Sequence, residues 1–237
     1  MRFLGLLTLL LCLVSPNAFA QEDGGGDSER QISPENVLVL DLETGTVFIE
    51  MFPEIAPAHV ERVRTLANQG FYDNVVFHRV IEGFMAQGGD PTGTGTGGSD
   101  LPDLPAEFSA IHHQRGIVSM ARSSQPDSAN SQFFIMLADR PSGARSWSQL
   151  DGSYTIWGRV IEGMDYVDAI ILGEPPEEPT EIVRARIAAT EFPGIPFIVG
   201  PADLPERVAI TQMESQAFDP LFEDDIQIDI LTPVLGQ

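Results

Sequence analysis

One stretch of the chain places a cation among large apolar side chains. Residues 77–90 read FHRVIEGFMAQGGD, and the apolar members of this stretch are Phe77, Val80, Ile81, Phe84 and Met85. The spacing of Arg79 and Gln87 allows both polar side chains to lie on the same side of the surface that these residues form. Such a surface suits an apolar ligand that carries one amide group, held by its shape and by a positioned hydrogen-bond donor.

Other chemistries find little support in the sequence. The histidines at positions 59, 78, 112 and 113 do not pair with Cys, Asp or Glu at metal-ligand spacing on one element, so we expect no zinc site. Residues 91–98 read PTGTGTGG, but this run lacks the Gly-Lys-Ser/Thr ending and the following helix of a nucleotide-binding loop. Without a G-x-S-x-G motif, and with the only cysteine at Cys12, a hydrolase is also disfavoured. We therefore predict no metal and no cofactor.

The stretch at 77–90 resembles the central signature of the cyclophilins, the cyclosporin-binding family of peptidyl-prolyl cis-trans isomerases. A second matching segment, SQFFIM at residues 131–136, follows it, and a third, LDGSYTIWGRVIEGMD at residues 150–165, continues the family's order. Ordered matches of this kind are hard to obtain by chance. The resemblance covers roughly residues 34–190 and implies an enzyme that accelerates rotation about X-Pro bonds.

This reaction sets modest chemical demands, because rotation breaks no bond and transfers no proton. The twisted amide of the transition state has lost its resonance, so the proline nitrogen is more basic than in the planar forms. A fixed guanidinium can hydrogen-bond this altered amide better than it binds the planar one. The resemblance implies that Arg79 is that donor, and the alternative is an arginine in a buried ion pair. Lysine would replace it poorly, because the planar fork fixes direction as well as charge.

The resemblance also assigns the other residues of the site. Four apolar residues match positions that hold the proline ring, although each alone is typical of a barrel core; they are Phe84, Met85, Phe134 and Leu150. Gln87, which we group with Arg79 as catalytic, and Gln132 match positions that hydrogen-bond the substrate backbone near the twisted bond. A strand-like rim of Ala121, Arg122 and Ser123 matches the segment that pairs with the substrate main chain.

Three positions on the pocket rim depart from the family pattern. The family more often has asparagine at the position of Arg122, histidine at that of Tyr154 and tryptophan at that of Gln149. We expect Tyr154 to bind substrate, because it keeps an aromatic wall and a hydroxyl, whereas Gln149 removes a large apolar contact. Whether Trp147, two residues earlier, fills that gap is left open.

The elements that must position these residues indicate a mainly β fold. Strands rich in β-branched and apolar residues are predicted at residues 37–41, 47–52, 116–120, 132–137, 155–160 and 182–187. Helical spacing predicts one helix from Pro57 to Gly70 and a second, short one from Met164 to Gly173. Many short strands with two isolated helices predict a closed β-barrel with helices on its open ends. The resemblance implies eight antiparallel strands capped by two α-helices, followed by a C-terminal extension.

The two ends of the chain lie outside this domain. A positive start, an apolar run and the small-x-small pattern Ala18-Phe19-Ala20 predict a signal peptide at residues 1–20, with an uncleaved anchor as the alternative. Residues 21–33 are predicted to be a flexible linker and residues 34–190 the isomerase domain. The extension at 191–237 is acidic but carries apolar residues, so we expect a strand near 207–213 and a helical turn near 215–222, docked on the barrel or on a partner.

Composition restricts the partners of the protein. Its formal net charge is −22 and all of its basic residues are arginine, so it repels phosphate backbones and anionic lipids. We expect no nucleic acid and, after signal cleavage, no membrane partner. The predicted function is that of an exported, periplasmic monomer which isomerises X-Pro bonds in proline-containing unfolded or extended polypeptides. The alternative is a cyclophilin-fold chaperone or scaffold that binds proline-containing segments, with catalysis incidental.

Overall fold

A computed structural model of the protein describes residues 30–139 and 149–199. Within these ranges the strands are β1 (Arg30–Ile32), β2 (Val37–Leu42), β3 (Gly45–Met51), β4 (Val75–Val76), β5 (Arg79–Ile81), β6 (Met85–Gly88), β7 (Ile117–Met120), β8 (Phe133–Met136), β9 (Ile156–Glu162), β10 (Glu181–Ile187) and β11 (Phe197–Val199). The α-helices are α1 (Pro57–Asn68) and α2 (Met164–Asp168), and 3-10 helices occupy Pro34–Asn36 and Ala188–Thr190. No helix in these two ranges is long and apolar enough to cross a membrane.

Nine of the strands form one antiparallel sheet that curls back on itself. Their order is β4-β10-β2-β3-β9-β7-β8-β6-β5, and the two edge strands, β4 and β5, are separated in the chain only by Phe77 and His78. The two edges of the curled sheet are therefore consecutive in sequence. Nine strands appear where eight were predicted, because the chain is interrupted at Phe77-His78. The mainly β, antiparallel architecture agrees with the prediction.

The first helix covers the barrel with one apolar face. Pro57 stands in its first turn, and its buried residues include Val60, Val63 and Leu66. The backbone N–H groups of Ala58 and His59 donate to the Glu107 carboxylate at 3.1 Å each, which satisfies two of the groups that a helix N-terminus leaves unpaired. The predicted boundaries of this helix are thereby confirmed to within two residues.

Side chains alternate between two apolar clusters across the sheet. In β8, Phe133 and Ile135 belong to the larger cluster, which fills the barrel, whereas Phe134 and Met136 belong to a second cluster on the opposite face. This is the two-residue period of a strand. Two neighbouring residues of the same type therefore have different surroundings: Phe133 packs inside the barrel, whereas Phe134 lies on the face of the candidate binding site.

The outermost described segments correct two predicted boundaries. Strand β1, which we assigned to the linker, pairs antiparallel with β11, which we assigned to the extension. Ile32 is buried, and the guanidinium of Arg30 binds the buried carboxylate of Glu50. These contacts fix a segment whose polar composition alone suggested a linker. The predicted signal peptide, the strand near 207–213 and the helical turn near 215–222 lie outside the described residues.

Candidate active site

Three adjacent strands bring the predicted polar and aromatic residues of the site into one row. Arg79 on β5 lies opposite Gln87 on β6, and Gln87 lies opposite Phe134 on β8. Directly opposed residues of an antiparallel pair extend from the same face of the sheet. Arg79 and Gln87 therefore share one side of the surface, as their spacing predicted, although they come from two strands joined by a turn.

Six of the predicted substrate-binding residues, including all four that were predicted to hold the proline ring, gather in the second apolar cluster, apart from the barrel core. Met85, Ala121, Phe134, Leu150 and Tyr154 are all buried members of it, and the partly buried Phe84 packs against it. The same cluster contains residues that the sequence analysis did not select: Phe52, Ile117, Met136 and Ile156. The alternation that places Phe134 on this face also places Met136 there, so this pattern was available in the sequence.

Among the described residues, Arg79 has one side-chain partner, the carboxylate of Glu174. Its Nε donates to Oε2 of Glu174 at 2.7 Å, while Nη1 is buried and hydrogen-bonds to no group among the described residues. The pair is not deeply buried, because the Glu174 side chain is 38% exposed. The alternative interpretation, in which Arg79 only forms a buried ion pair, therefore accounts for only one of its nitrogens.

The two glutamines form a chain of amides that leads to the glycine-rich run. Nε2 of Gln87 donates to Oε1 of Gln132 at 2.9 Å, and Nε2 of Gln132 donates to the carbonyls of Gly95 and Gly97 at 3.1 and 2.8 Å. The amide of Gln132 is thus used to hold the loop at 91–98 beside the site. Its predicted contact with the substrate stays a prediction.

The carboxylate of Asp90 holds the same loop in place by accepting hydrogen bonds from its backbone. Burial disfavours the charged carboxylate, but hydrogen bonds from the backbone N–H groups of Gly97, Thr92 and Gly95, and from the Thr92 hydroxyl, outweigh it and lower the pKa of Asp90. The amides that resemble a phosphate cradle in the sequence are therefore directed at a carboxylate of the protein itself.

Two of the departures from the family pattern contact each other on the rim. The guanidinium of Arg122 lies 4.5 Å from the centroid of the Tyr154 ring, a cation–π distance. Its Nε and Nη1 donate to the carbonyls of Ser153 and Ser123 at 2.9 and 2.8 Å. Arg122 and Tyr154 thus form one unit of the rim. Gln149 is exposed in a turn, and Trp147 lies outside the described residues.

His113, which the sequence analysis considered only as a possible metal ligand, packs against the pocket residue Phe134. The ring of His113 stacks on Phe134 with centroids 6.0 Å apart. Its Nδ1 lies 3.0 Å from Oδ1 of Asp151 and its Nε2 lies 3.1 Å from the Ser119 hydroxyl. Burial opposes ionisation of Asp151, but hydrogen bonds from His113 and His112 prevail and lower the pKa of this carboxyl to about 2. Within residues 30–139 and 149–199, no three metal-ligating side chains converge.

Comparison with known proteins identifies the family. The protein-family model described as "Cyclophilin type peptidyl-prolyl cis-trans isomerase/CLD" matches residues 38–189. The chain belongs to the cyclophilins. This cyclophilin is 46% identical over 172 residues to a probable peptidyl-prolyl cis-trans isomerase of Brucella suis, covering 66% of this chain and 84% of the relative. It is 41% identical to a peptidyl-prolyl cis-trans isomerase of Schizosaccharomyces pombe, covering 62% of this chain and 95% of that one.

Solved structures of cyclophilins have the same fold. A cyclophilin from Hirschia baltica superposes with a TM-score of 0.60 at 31% identity, over 68% of this chain and 76% of that one. A Cryptosporidium parvum cyclophilin, determined in the presence of the dipeptide Ala-Pro, gives 0.57 at 31% identity, over 64% of this chain and 98% of that one. The predicted family, fold class and enzyme class, a peptidyl-prolyl cis-trans isomerase, are confirmed.

Proposed function

We propose that this cyclophilin isomerises X-Pro bonds in exported polypeptides, with Arg79 as the donor to the twisted amide and the second apolar cluster as the proline pocket. The observation that carries the proposal is the row formed by Arg79, Gln87 and Phe134 on one face of the sheet. This row lies beside an apolar cluster that is separate from the one inside the barrel.

The size of the rotational barrier indicates how much of the acceleration Arg79 can supply and how much must come from the pocket. The uncatalysed barrier is about 18–20 kcal/mol, and each 1.36 kcal/mol removed gives a tenfold acceleration, so a useful enzyme supplies on the order of 5–8 kcal/mol. One hydrogen bond to a charged group contributes about 1.5–3 kcal/mol. Arg79 therefore supplies a part of the effect, and the rest comes from a pocket that holds the proline ring while the preceding residue rotates.

The substrate class is supported by a relative and by the chain's own start. The Cryptosporidium parvum cyclophilin was determined in the presence of Ala-Pro, so a proline-containing peptide is the ligand we propose here. The signal pattern at residues 1–20 supports export to the periplasm. Newly exported chains, which are unfolded and expose X-Pro bonds, are then the natural substrates.

The test replaces Arg79 in the purified protein. Arg79→Ala should lower kcat/KM for a prolyl peptide at least about tenfold, equivalent to about 1.4 kcal/mol of transition-state stabilisation, and leave the melting temperature near that of the parent. Arg184→Ala is the matched control, because this arginine on β10 is 53% exposed at the side chain and, within the described part of the chain, its ion pair is a long one with Glu191, at 3.5 Å.

The outcomes separate the two functional hypotheses. A folded Arg79→Ala variant that isomerises at the parent rate would show that Arg79 is not the donor. A parent protein that binds proline peptides but leaves their isomerisation at the uncatalysed rate would instead favour the chaperone or scaffold hypothesis.

A further inference from the structure

A glutamate outside the family signature reaches the proposed donor. Oε2 of Glu174 accepts a hydrogen bond from Nε of Arg79 at 2.7 Å, across 95 positions of sequence. Neither terminal nitrogen of Arg79 bonds to any group among the described residues, and Nη1 is buried. The carboxylate thus engages Nε, and it does not use the hydrogen-bonding capacity of the two terminal nitrogens.

The backbone around Glu174 is tied to the strand that carries Arg79. Gly173 and Val80 exchange two hydrogen bonds, N to O at 2.8 and 2.9 Å. Further along, the N–H of Ile171 donates to the Thr180 hydroxyl at 3.1 Å. The turn that presents Glu174 is therefore anchored immediately beside Arg79, so the ion pair does not depend on two long side chains meeting across a mobile surface.

Fixing Nε fixes the plane of a guanidinium, because the group is planar and delocalised. An arginine that is held at Nε presents its remaining donors in a set direction, whereas a free arginine samples many rotamers. The transition state is stabilised only by donors that are already in place when the amide twists. A carboxylate at Nε therefore contributes to catalysis without contacting the substrate.

We propose that Glu174 is a positioning residue of the isomerase, orienting the Arg79 guanidinium through Nε. The proposal rests on the proposed role of Arg79 as donor. It concerns orientation and not charge, so an uncharged acceptor of the same length should largely replace it.

The test compares two substitutions of Glu174 with one at a neighbouring acid. Glu174→Ala should lower turnover of a prolyl peptide about three- to tenfold with unchanged peptide affinity and melting temperature. Glu174→Gln keeps an oxygen acceptor for Nε and should retain more than about half of the parent turnover. Glu178→Ala is the matched control, because Glu178 is an exposed acid in the same segment; it should match the parent.

A double-mutant cycle and an NMR signal of Arg79 test whether Glu174 acts through Arg79. In the Arg79→Ala background, Glu174→Ala should cause no further loss, since the two residues act as a unit. The Arg79 Nε–H signal in an NMR spectrum should shift in Glu174→Ala and remain near its parent position in Glu174→Gln. These two readouts would not respond to a merely structural role of the glutamate.

Distinct results overturn the inference and the function on which it rests. Parent-level turnover in Glu174→Ala, with Arg79→Ala impaired, would overturn the positioning role alone. Equal losses from Glu174→Ala with and without Arg79 would do the same. Parent-level turnover in Arg79→Ala would overturn both proposals.

Discussion

Phe134 belongs both to the wall of the barrel and to the proposed pocket. Its ring is fully buried, lies over His113 and makes an edge contact with Tyr154, centroid to centroid 5.7 Å. Its sequence neighbour Phe133 is equally buried but faces the barrel interior, where it contacts Tyr72 and Trp157. The two phenylalanines differ in the face they occupy and not in burial, so they form a natural pair for separating packing from binding.

Replacing each ring by leucine should separate these roles. Both Phe134→Leu and Phe133→Leu remove a buried ring and should lower the free energy of unfolding by about 1–3 kcal/mol, measured by urea denaturation. Only Phe134→Leu should also weaken the binding of a proline peptide, because the pocket wall contacts ground and transition states alike. If the two folded variants bound the peptide with equal affinity, Phe134 would be a packing residue of the barrel wall and not part of the binding site.

Gln149 leads to a prediction about inhibition. The resemblance implies that the tryptophan which other cyclophilins have at this position packs on the cyclosporin macrocycle and donates a hydrogen bond to it. In this chain the flexible amide of Gln149 stands at that position. Truncating such an aromatic anchor commonly costs about 2 kcal/mol or more, so cyclosporin should bind at least about thirtyfold more weakly than to relatives with the tryptophan. Gln149→Trp should restore inhibition with little change in turnover. Equally tight inhibition of parent and variant would contradict this.

At the scale of elements, two loops converge on the back of the pocket wall. The segment that carries His112 and His113 meets the turn that carries Asp151, whose Oδ1 also accepts the backbone N–H of His113 at 2.8 Å. These bonds favour the charged form of Asp151 against the cost of its burial. They link the two loops to β7 through the contact of His113 with the Ser119 hydroxyl.

This convergence predicts how stability depends on pH. A carboxyl whose pKa is about 2 in the folded protein and about 3.9 when unfolded stabilises the fold above pH 4, and this contribution is lost as pH falls through 4 toward 2. The parent should therefore be more stable than Asp151→Asn above pH 4, and the difference should shrink toward pH 2. Unfolding curves at several pH values measure it, and a difference that stays constant would show that Asp151 does not titrate in this way.

What the sequence predicted, and what it did not, follows from the range of the interactions. Local spacings of two to eight residues predicted strands β2 and β3, helix α1 and the common face of Arg79 and Gln87. Glu174 lies 95 positions from Arg79 and Asp151 lies 38 from His113, and both stand in turns without periodicity. Such contacts are set by the way the barrel closes, which local patterns do not encode.

At the scale of the whole molecule, one buried glutamate joins the ends of the described chain to the barrel. Glu50 on β3 is 4% exposed; it binds the guanidinium of Arg30 on β1 and accepts a hydrogen bond from Nε of Arg159 on β9 at 3.0 Å. Strand β1 in turn pairs with β11, where Phe197 lies against Phe48 with ring centroids 5.6 Å apart. The two-stranded sheet is thus attached by this carboxylate, by the aromatic contact and by an apolar cluster in which Ile32 packs with Val37, Val39 and Ala188.

Removing that carboxylate should be costly. Glu50→Ala leaves two arginines without their buried partner and should lower the free energy of unfolding by about 3–5 kcal/mol. Glu61→Ala, which breaks an ion pair with Arg64 whose glutamate is 66% exposed, should cost less than about 1 kcal/mol. Urea unfolding of both variants tests this, and equal small losses would mean that the Glu50 carboxylate contributes little to stability.

The last prediction concerns the start of the chain and where the enzyme works. Residues 1–20 combine Arg2, an apolar run that is short for a spanning helix, and Ala18-Phe19-Ala20. When the full chain is expressed in a bacterium, the protein purified from the periplasm should begin at Gln21 by mass spectrometry. Ala18→Arg should block cleavage and leave the longer chain in the membrane fraction, whereas Phe19→Ser, at the tolerant middle position, should be processed normally. A cytoplasmic protein that keeps residues 1–20 would contradict export, and with it the proposal that newly exported chains are the substrates.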